Sequence, residues 1–138
     1  PESMNGYTVE ALTELRARHP GLVVDVLSDN RALDLRRGEA DLAVRIRDAE
    51  DGELISRRIG TSGWSMYASA AYVARKGTPP SPEALAGHEV VGFAPSMAAI
   101  VGARWLEAHG AGVDVVLRAN SINAALDAAA VGFGLVFL

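Results

Sequence analysis

LTELRARHPGLVVDVLSDNRALDLRRGEADLAVRI, residues 12–46, decides the fold through its alternation of two hydrophobic periods. Its start belongs to a helix: Tyr7, Ala11, Leu12 and Leu15 recur at helical spacing, with Glu14, Arg16 and Arg18 largely off that face. His19-Pro20-Gly21 stops the helix, because proline has no N–H to continue the ladder and glycine accepts the angles of a helix end. Residues 22–27, LVVDVL, are rich in β-branched side chains and predict a strand. Ser28-Asp29-Asn30 reads as a turn and helix start, since these short side chains accept the first free backbone N–H groups. A short helix over 32–37 closes at Gly38, and DLAVRI at 41–46 is the next strand. Helix, strand, helix, strand with short loops is the rhythm of a parallel α/β sheet.

The rest of the chain continues that rhythm after a looser middle. DAEDG at 48–52 is a polar loop, and 54–59 reads as an edge strand exposing Arg57 and Arg58. GTSG at 60–63 punctuates the chain and predicts a subdomain boundary, giving a first subdomain of 1–60 and a second of 61–138. In the second, 64–69 alternates as a half-buried strand, 70–75 is a helix closed by Gly77, and Ser81 caps a short helix with Pro82 at its first position. Strands are predicted over 89–93, 113–117 and 134–138, and helices over 97–109 and 121–131, the latter closed by Gly132. The sequence stops inside an apolar run, and Pro1-Glu2-Ser3 resembles the loop after a strand, so a domain truncated at both ends is expected.

Composition narrows the function classes. The 138 residues suffice for about one domain, with 49% apolar and 22% charged residues and a net charge of −4. Thirteen Lys and Arg are dispersed and outnumbered by seventeen acids, whereas a DNA-gripping domain concentrates cations to release phosphate counterions. There is no cysteine, hence no disulfide or thiolate metal site, and no apolar stretch of the ~20 residues a membrane span needs. His19, His88 and His109 form no H-E-x-x-H pair, and no G-x-S-x-G elbow occurs. Gly132-Phe133-Gly134 lacks the third glycine of a dinucleotide fingerprint and precedes a strand instead of following one. Glu50-Asp51 lies in a polar loop, and Trp64 and Trp105 read as core or interface residues. Neither a catalytic set nor a metal or cofactor site is expected.

An ordered series of segments resembles the effector domain of LysR-type transcriptional regulators. It comprises LTELRARHPGLVVDVL (12–27), SDNRALDLRRGEADLAVRI (28–46), ISRRIG (55–60), MYASAAYVARKGTP (66–79), EALAGHEVVGF (83–93), RWL (104–106) and LRANSINAALDAAAVGFGLVFL (117–138). The resemblance covers nearly the whole chain. It implies an α/β fold like the type-II periplasmic binding proteins, two subdomains flanking an effector cleft. It further implies a cytoplasmic sensor that homodimerises or forms a higher oligomer, and that meets DNA only through a helix-turn-helix domain not in this sequence. A transporter's solute-binding protein shares that fold and would carry a signal peptide; an enzyme on the same scaffold would need a converging acid/base or nucleophile set.

Candidate ligand residues follow from where α/β sheets bind, outside the carboxyl ends of strands and against helix N-termini. The resemblance points to Ser3 and Met4 before the first helix, and to Ser28 and Asn30 before the second. From the second subdomain it points to Phe93 and Ser96 after one strand, and to Asn120 and Ser121 opening the alanine-rich helix. Ser28 and Ser121 are equally natural N-caps, and Phe93 serves a core as readily. Arg45, between apolar neighbours, is placed either to fork a ligand carboxylate or to make a surface ion pair. No arginine cluster selects an anionic effector over an aromatic or amphipathic one.

Overall fold

The computed structural model describes residues 5–28, 33–45 and 54–138, and the chain divides into two compact units, 1–62 and 63–138.

In the first unit, α1 (Asn5–Arg18) ends just before Pro20, with Arg16 and Arg18 in its last turn where cations complement the helix dipole. Arg18 also pairs with Glu14 one turn back. The apolar face expected of α1 is only partly covered among the described residues: Leu12 is half-buried, and Ala11 and Leu15 are exposed. The runs read above as strands, 22–27, 41–46 and 54–59, carry no ladder among the described residues (46 lies outside them), and Val23 and Leu42 are largely exposed. β-Branched composition makes a segment fit to be a strand, but a strand exists only where a neighbour takes up its N–H and C=O groups. The short helix is a single 3-10 turn, Leu35–Arg37. Its cap is Asp34, not the 28–30 turn: the carboxylate accepts from the Arg36 and Arg37 N–H groups at 3.0 and 3.4 Å. Gly38 closes it at φ 72°, the left-handed region that glycine enters without a Cβ clash.

The second unit is built on four strands: β1 (Met66–Tyr67), β2 (Glu89–Phe93), β3 (Asp114–Ala119) and β4 (Val136–Phe137). β2 and β3 pair in parallel, β1 and β4 antiparallel, and a parallel bridge between Val90 and Leu135 joins the two pairs in the order β1-β4-β2-β3. The helices are α2 (Ala70–Lys76), α3 (Val101–His109) and α4 (Ile122–Ala130). Ser69 caps α2 by accepting from the Tyr72 N–H at 3.2 Å. Ser81 begins only a turn, bonded from the Ala84 N–H, so no helix follows Pro82.

Side-chain alternation along the strands sorts the core into two faces. Val91, Ala119 and Val136 pack with Ala125 and Ala129 of α4. Val90 and Leu135 pack with Tyr72 and Leu85, and with Trp105 and Leu106 of α3. The sheet is therefore covered on both sides, as parallel strands require. One irregularity matters: the β2–β3 register passes from Val90↔Val115 to Val91↔Leu117, leaving Val116 unpaired and exposed. That bulge re-aims the strand. It keeps Val115 on the α3 side with Gly92, while Leu117 and Ala119 turn to the α4 side.

Candidate functional site

β2 and β3 end level with each other, Phe93 opposite Ala119, and the Ala94 N–H extends the ladder to the Ala119 carbonyl at 2.8 Å. Beyond this point the chain leaves β2 toward α3 on one face and leaves β3 toward α4 on the other. Successive connections thus depart to opposite faces, and α/β sheets hold ligands at strand ends of that kind. Four of the residues predicted from sequence meet here: Phe93 is half-buried, Ser96 is exposed in a 3-10 turn (Pro95–Met97) anchored by buried Met97, and Asn120 and Ser121 open α4. Ser121 also caps α4, its Oγ accepting from the Ala124 N–H at 3.2 Å. The residue at the start of α3, Ile100, offers no capping side chain.

The same edge gathers aromatic rings that the sequence reading assigned to core or interface. Because β1 runs antiparallel to β4, its beginning lies beside the end of β4, with the Ser65 N–H on the Leu138 carbonyl at 2.6 Å. Trp64 thereby reaches the carboxyl edge. Its ring stacks toward Phe137 at 6.2 Å between centroids, and Phe137 stacks on Trp105 at 4.4 Å. Gly102 in the first turn of α3 makes this approach possible: a Cβ there would stand 2.5 Å from the Phe137 carbonyl oxygen, 3.0 Å from Trp64 and 3.1 Å from Phe93. No sequence signal marks Trp64 or Gly102, since both depend on the β1–β4 pairing.

The remaining candidates belong to the first unit, and three of them fall outside the described residues. These are Ser3, Met4 and Asn30. Ser28 is exposed and follows the 22–27 run. Arg45 is half-buried and donates one guanidinium N–H to the Leu33 carbonyl at 2.7 Å.

The opposite, amino end of the sheet carries the polar hub. Fully buried Tyr72 accepts from the Glu89 N–H at 3.1 Å and bonds His88 Nδ1 at 3.0 Å. Glu89 takes Arg75 at 2.7 Å and Lys76 at 3.2 Å, tying α2 to β2. The Arg75 hydrogen bond holds the Glu89 carboxyl below the usual carboxylate range, against some opposition from burial, and Lys76 adds to it. Arg75 is raised in turn, chiefly by the same bond. This hub is remote from the carboxyl edge and serves packing. An open recess of about 220 Å³ lies between α3 and β3, floored by Gly92, Val115 and Leu106 with Glu107 and Arg118 in its lining, and it reaches the candidate site at Phe93. It is smaller than the roughly 300–1,000 Å³ of ordinary ligand sites. Among the described residues no group of three His, Asp or Glu is arranged to hold a metal ion, and no helix is long and apolar enough to cross a membrane.

Comparison with known proteins places this geometry. An HTH-type transcriptional regulator of Xanthomonas campestris pv. campestris is 36% identical over 80 residues, 58% of this chain and 23% of that protein. An uncharacterised HTH-type transcriptional regulator of Haemophilus influenzae is 32% identical over 129 residues, 92% of this chain and 45% of that protein. The HTH-type regulator YhjC of Escherichia coli is 27% identical over 134 residues, 91% of this chain and 43% of that protein. The chain thus spans less than half the length of these relatives. No solved structure gives a significant match. The family model for the LysR substrate binding domain matches residues 1–138, and the chain belongs to that family.

Proposed function

We propose that this domain binds a small-molecule effector at the carboxyl edge of β2 and β3 and, as the sensing part of a LysR-type regulator, passes that binding on to transcription. The observation that carries the reading is the convergence of Phe93, Ser96, Asn120 and Ser121 at the point where α3 and α4 depart to opposite faces. That edge has hydroxyl, amide and apolar groups to recognise a solute, and no acid/base or nucleophile set to transform one, so the role is binding without catalysis. Ser3, Met4, Ser28 and Asn30 remain candidates on the family resemblance, and Arg45 as a fork for a ligand carboxylate, in a type-II periplasmic-binding-protein-like fold. In this reading DNA is contacted by a helix-turn-helix domain encoded outside residues 1–138, the regulator acts in the cytoplasm, and the domain takes part in a homo-oligomer. The effector works by its differential affinity for two arrangements of that oligomer, since a ligand with equal affinity for both shifts nothing.

A thermal-shift screen of the complete regulator against a broad metabolite panel tests this. At least one solute raises the melting temperature in proportion to the logarithm of its concentration, and Ser96→Ala together with Asn120→Ala weakens that response. A panel with no stabilising solute, or a response unchanged in the double variant, overturns the proposal.

A further inference from the structure

We infer that the effector carries a flat, unsaturated ring, bedded against Trp64 and Phe93. This rests on the effector-site reading above and deepens it by naming the ligand class. The inference starts from a coincidence in the fold. One ring atom of Trp64 and one of Phe93 each lie about 3 Å from the point where a Gly102 Cβ would stand, so both rings flank the first turn of α3 at Gly102. Neither ring is fully buried, unlike Tyr72 on the interior. Both stand at the carboxyl edge: Phe93 ends β2 next to the turn that carries Ser96, and Trp64 leads into β1 beside the end of β4. Behind them Phe137 and Trp105 stack nearly parallel, 11° between planes, which holds Phe137 firm as a backing for Trp64. The polar groups of that edge, Ser96 and the Asn120-Ser121 pair, sit beside this aromatic wall. A saturated or open-chain solute makes dispersion contacts with such a wall. A π-face adds the quadrupole term that favours offset-stacked or edge-to-face pairs.

The test uses the complete regulator and matched probes that differ only in ring saturation: benzoate against cyclohexanecarboxylate, and benzamide against cyclohexanecarboxamide. The chain has two tryptophans, so a Trp105→Phe background leaves Trp64 as the reporter within this domain. The expected result is a two- to ten-fold tighter Kd for the unsaturated member of a pair, roughly the measured worth of one aromatic pair. Trp64 emission changes on binding, and Trp64→Leu removes the preference for unsaturation while the free protein still melts cooperatively. Phe93→Leu provides the same readout if Trp64→Leu does not fold. Equal affinity within each pair overturns the inference and leaves the effector site standing. So does a metabolite screen whose only hits are saturated or open-chain, or binding that leaves Trp64 emission and both variants unaffected. A screen with no stabilising solute of any kind removes the effector site, and this inference with it.

Discussion

Replacing Gly102 with alanine sets two effects of opposite sign against each other. Alanine inside a helix is favoured over glycine by about 0.8–1.0 kcal/mol, because the unfolded glycine has more backbone freedom to lose. Here the added methyl would stand 2.5 Å from the Phe137 carbonyl oxygen, nearly 1 Å inside ordinary contact, and within 3.1 Å of both Trp64 and Phe93. The close neighbour is backbone, held where β4 pairs with β1, so it cannot rotate away; α3 must lift off instead. Overpacking of this kind costs about 1–3 kcal/mol. Lifting α3 also loosens the Trp105–Phe137 stack at 4.4 Å. A backbone neighbour that cannot yield puts the cost in the upper half of that range, about 2–3 kcal/mol, and subtracting the propensity gain leaves a net loss of about 1–2 kcal/mol. In urea this lowers the unfolding midpoint by roughly 0.5–1 M at the usual slopes for small proteins. Gly6→Ala in α1 supplies the control, since no atom lies within 4 Å of its Cβ position and only the propensity gain applies. Circular dichroism at 222 nm follows both variants. A Gly102→Ala midpoint equal to or above that of the parent would refute the close approach of α3 to β4, and with it the aromatic arrangement over Gly102.

Other consequences follow from the hub and the caps. Tyr72→Phe leaves the Glu89 N–H and His88 Nδ1, on half-buried residues beside the fully buried Tyr72, without their partner. It costs about 1–3 kcal/mol by urea titration, and a neutral result shows the hydroxyl to be dispensable. Glu89 has a carboxyl pKa below its unfolded value, so its contribution is complete above the unfolded pKa and is lost as pH falls through the folded one. Stability therefore declines from neutral pH into the acid range more steeply for the parent than for Glu89→Gln, and parallel pH profiles would contradict the Arg75 and Lys76 pairing. Ser121→Ala removes the α4 cap and lowers stability by about 1 kcal/mol, with Ser121→Gly costing a few tenths; equal effects of the two would argue against capping. Leu135→Ala, at 1% exposure between β2 and α3, costs about 2–5 kcal/mol and is checked by the same melts.

Much of this protein was determined by local chemistry that the sequence states openly. Glu89–Phe93 sets two buried valines and a buried glycine between half-buried Glu89 and Phe93, and the strand falls on the five positions predicted. Pro20, Gly77 and Gly132 end helices or turn the chain because proline lacks an N–H and glycine tolerates positive φ, and neither property needs a tertiary context. Ser69 and Ser121 cap helices for a reason equally local. The loops at 94–96 and 120–121 were identifiable as ligand candidates because an α/β rhythm puts binding at strand ends. Pairing is where this legibility ended. Residues 22–27 have the composition of a strand and no ladder among the described residues, because a strand is completed by a neighbour that its own sequence does not name. The bulge at Val116 changes which face Leu117 and Ala119 occupy, and alternation read along the sequence gives no sign of it. Arg45 was drawn to a backbone carbonyl by the position of Leu33, a contact between chain segments 12 residues apart. Trp64 became part of the carboxyl edge only because β1 runs antiparallel to β4, and Gly102 became indispensable only because that pairing brings a carbonyl oxygen against α3. Periodicity and backbone preference act within a few residues and can be read in order; which strands meet, and what their meeting places side by side, is decided by packing across the whole unit.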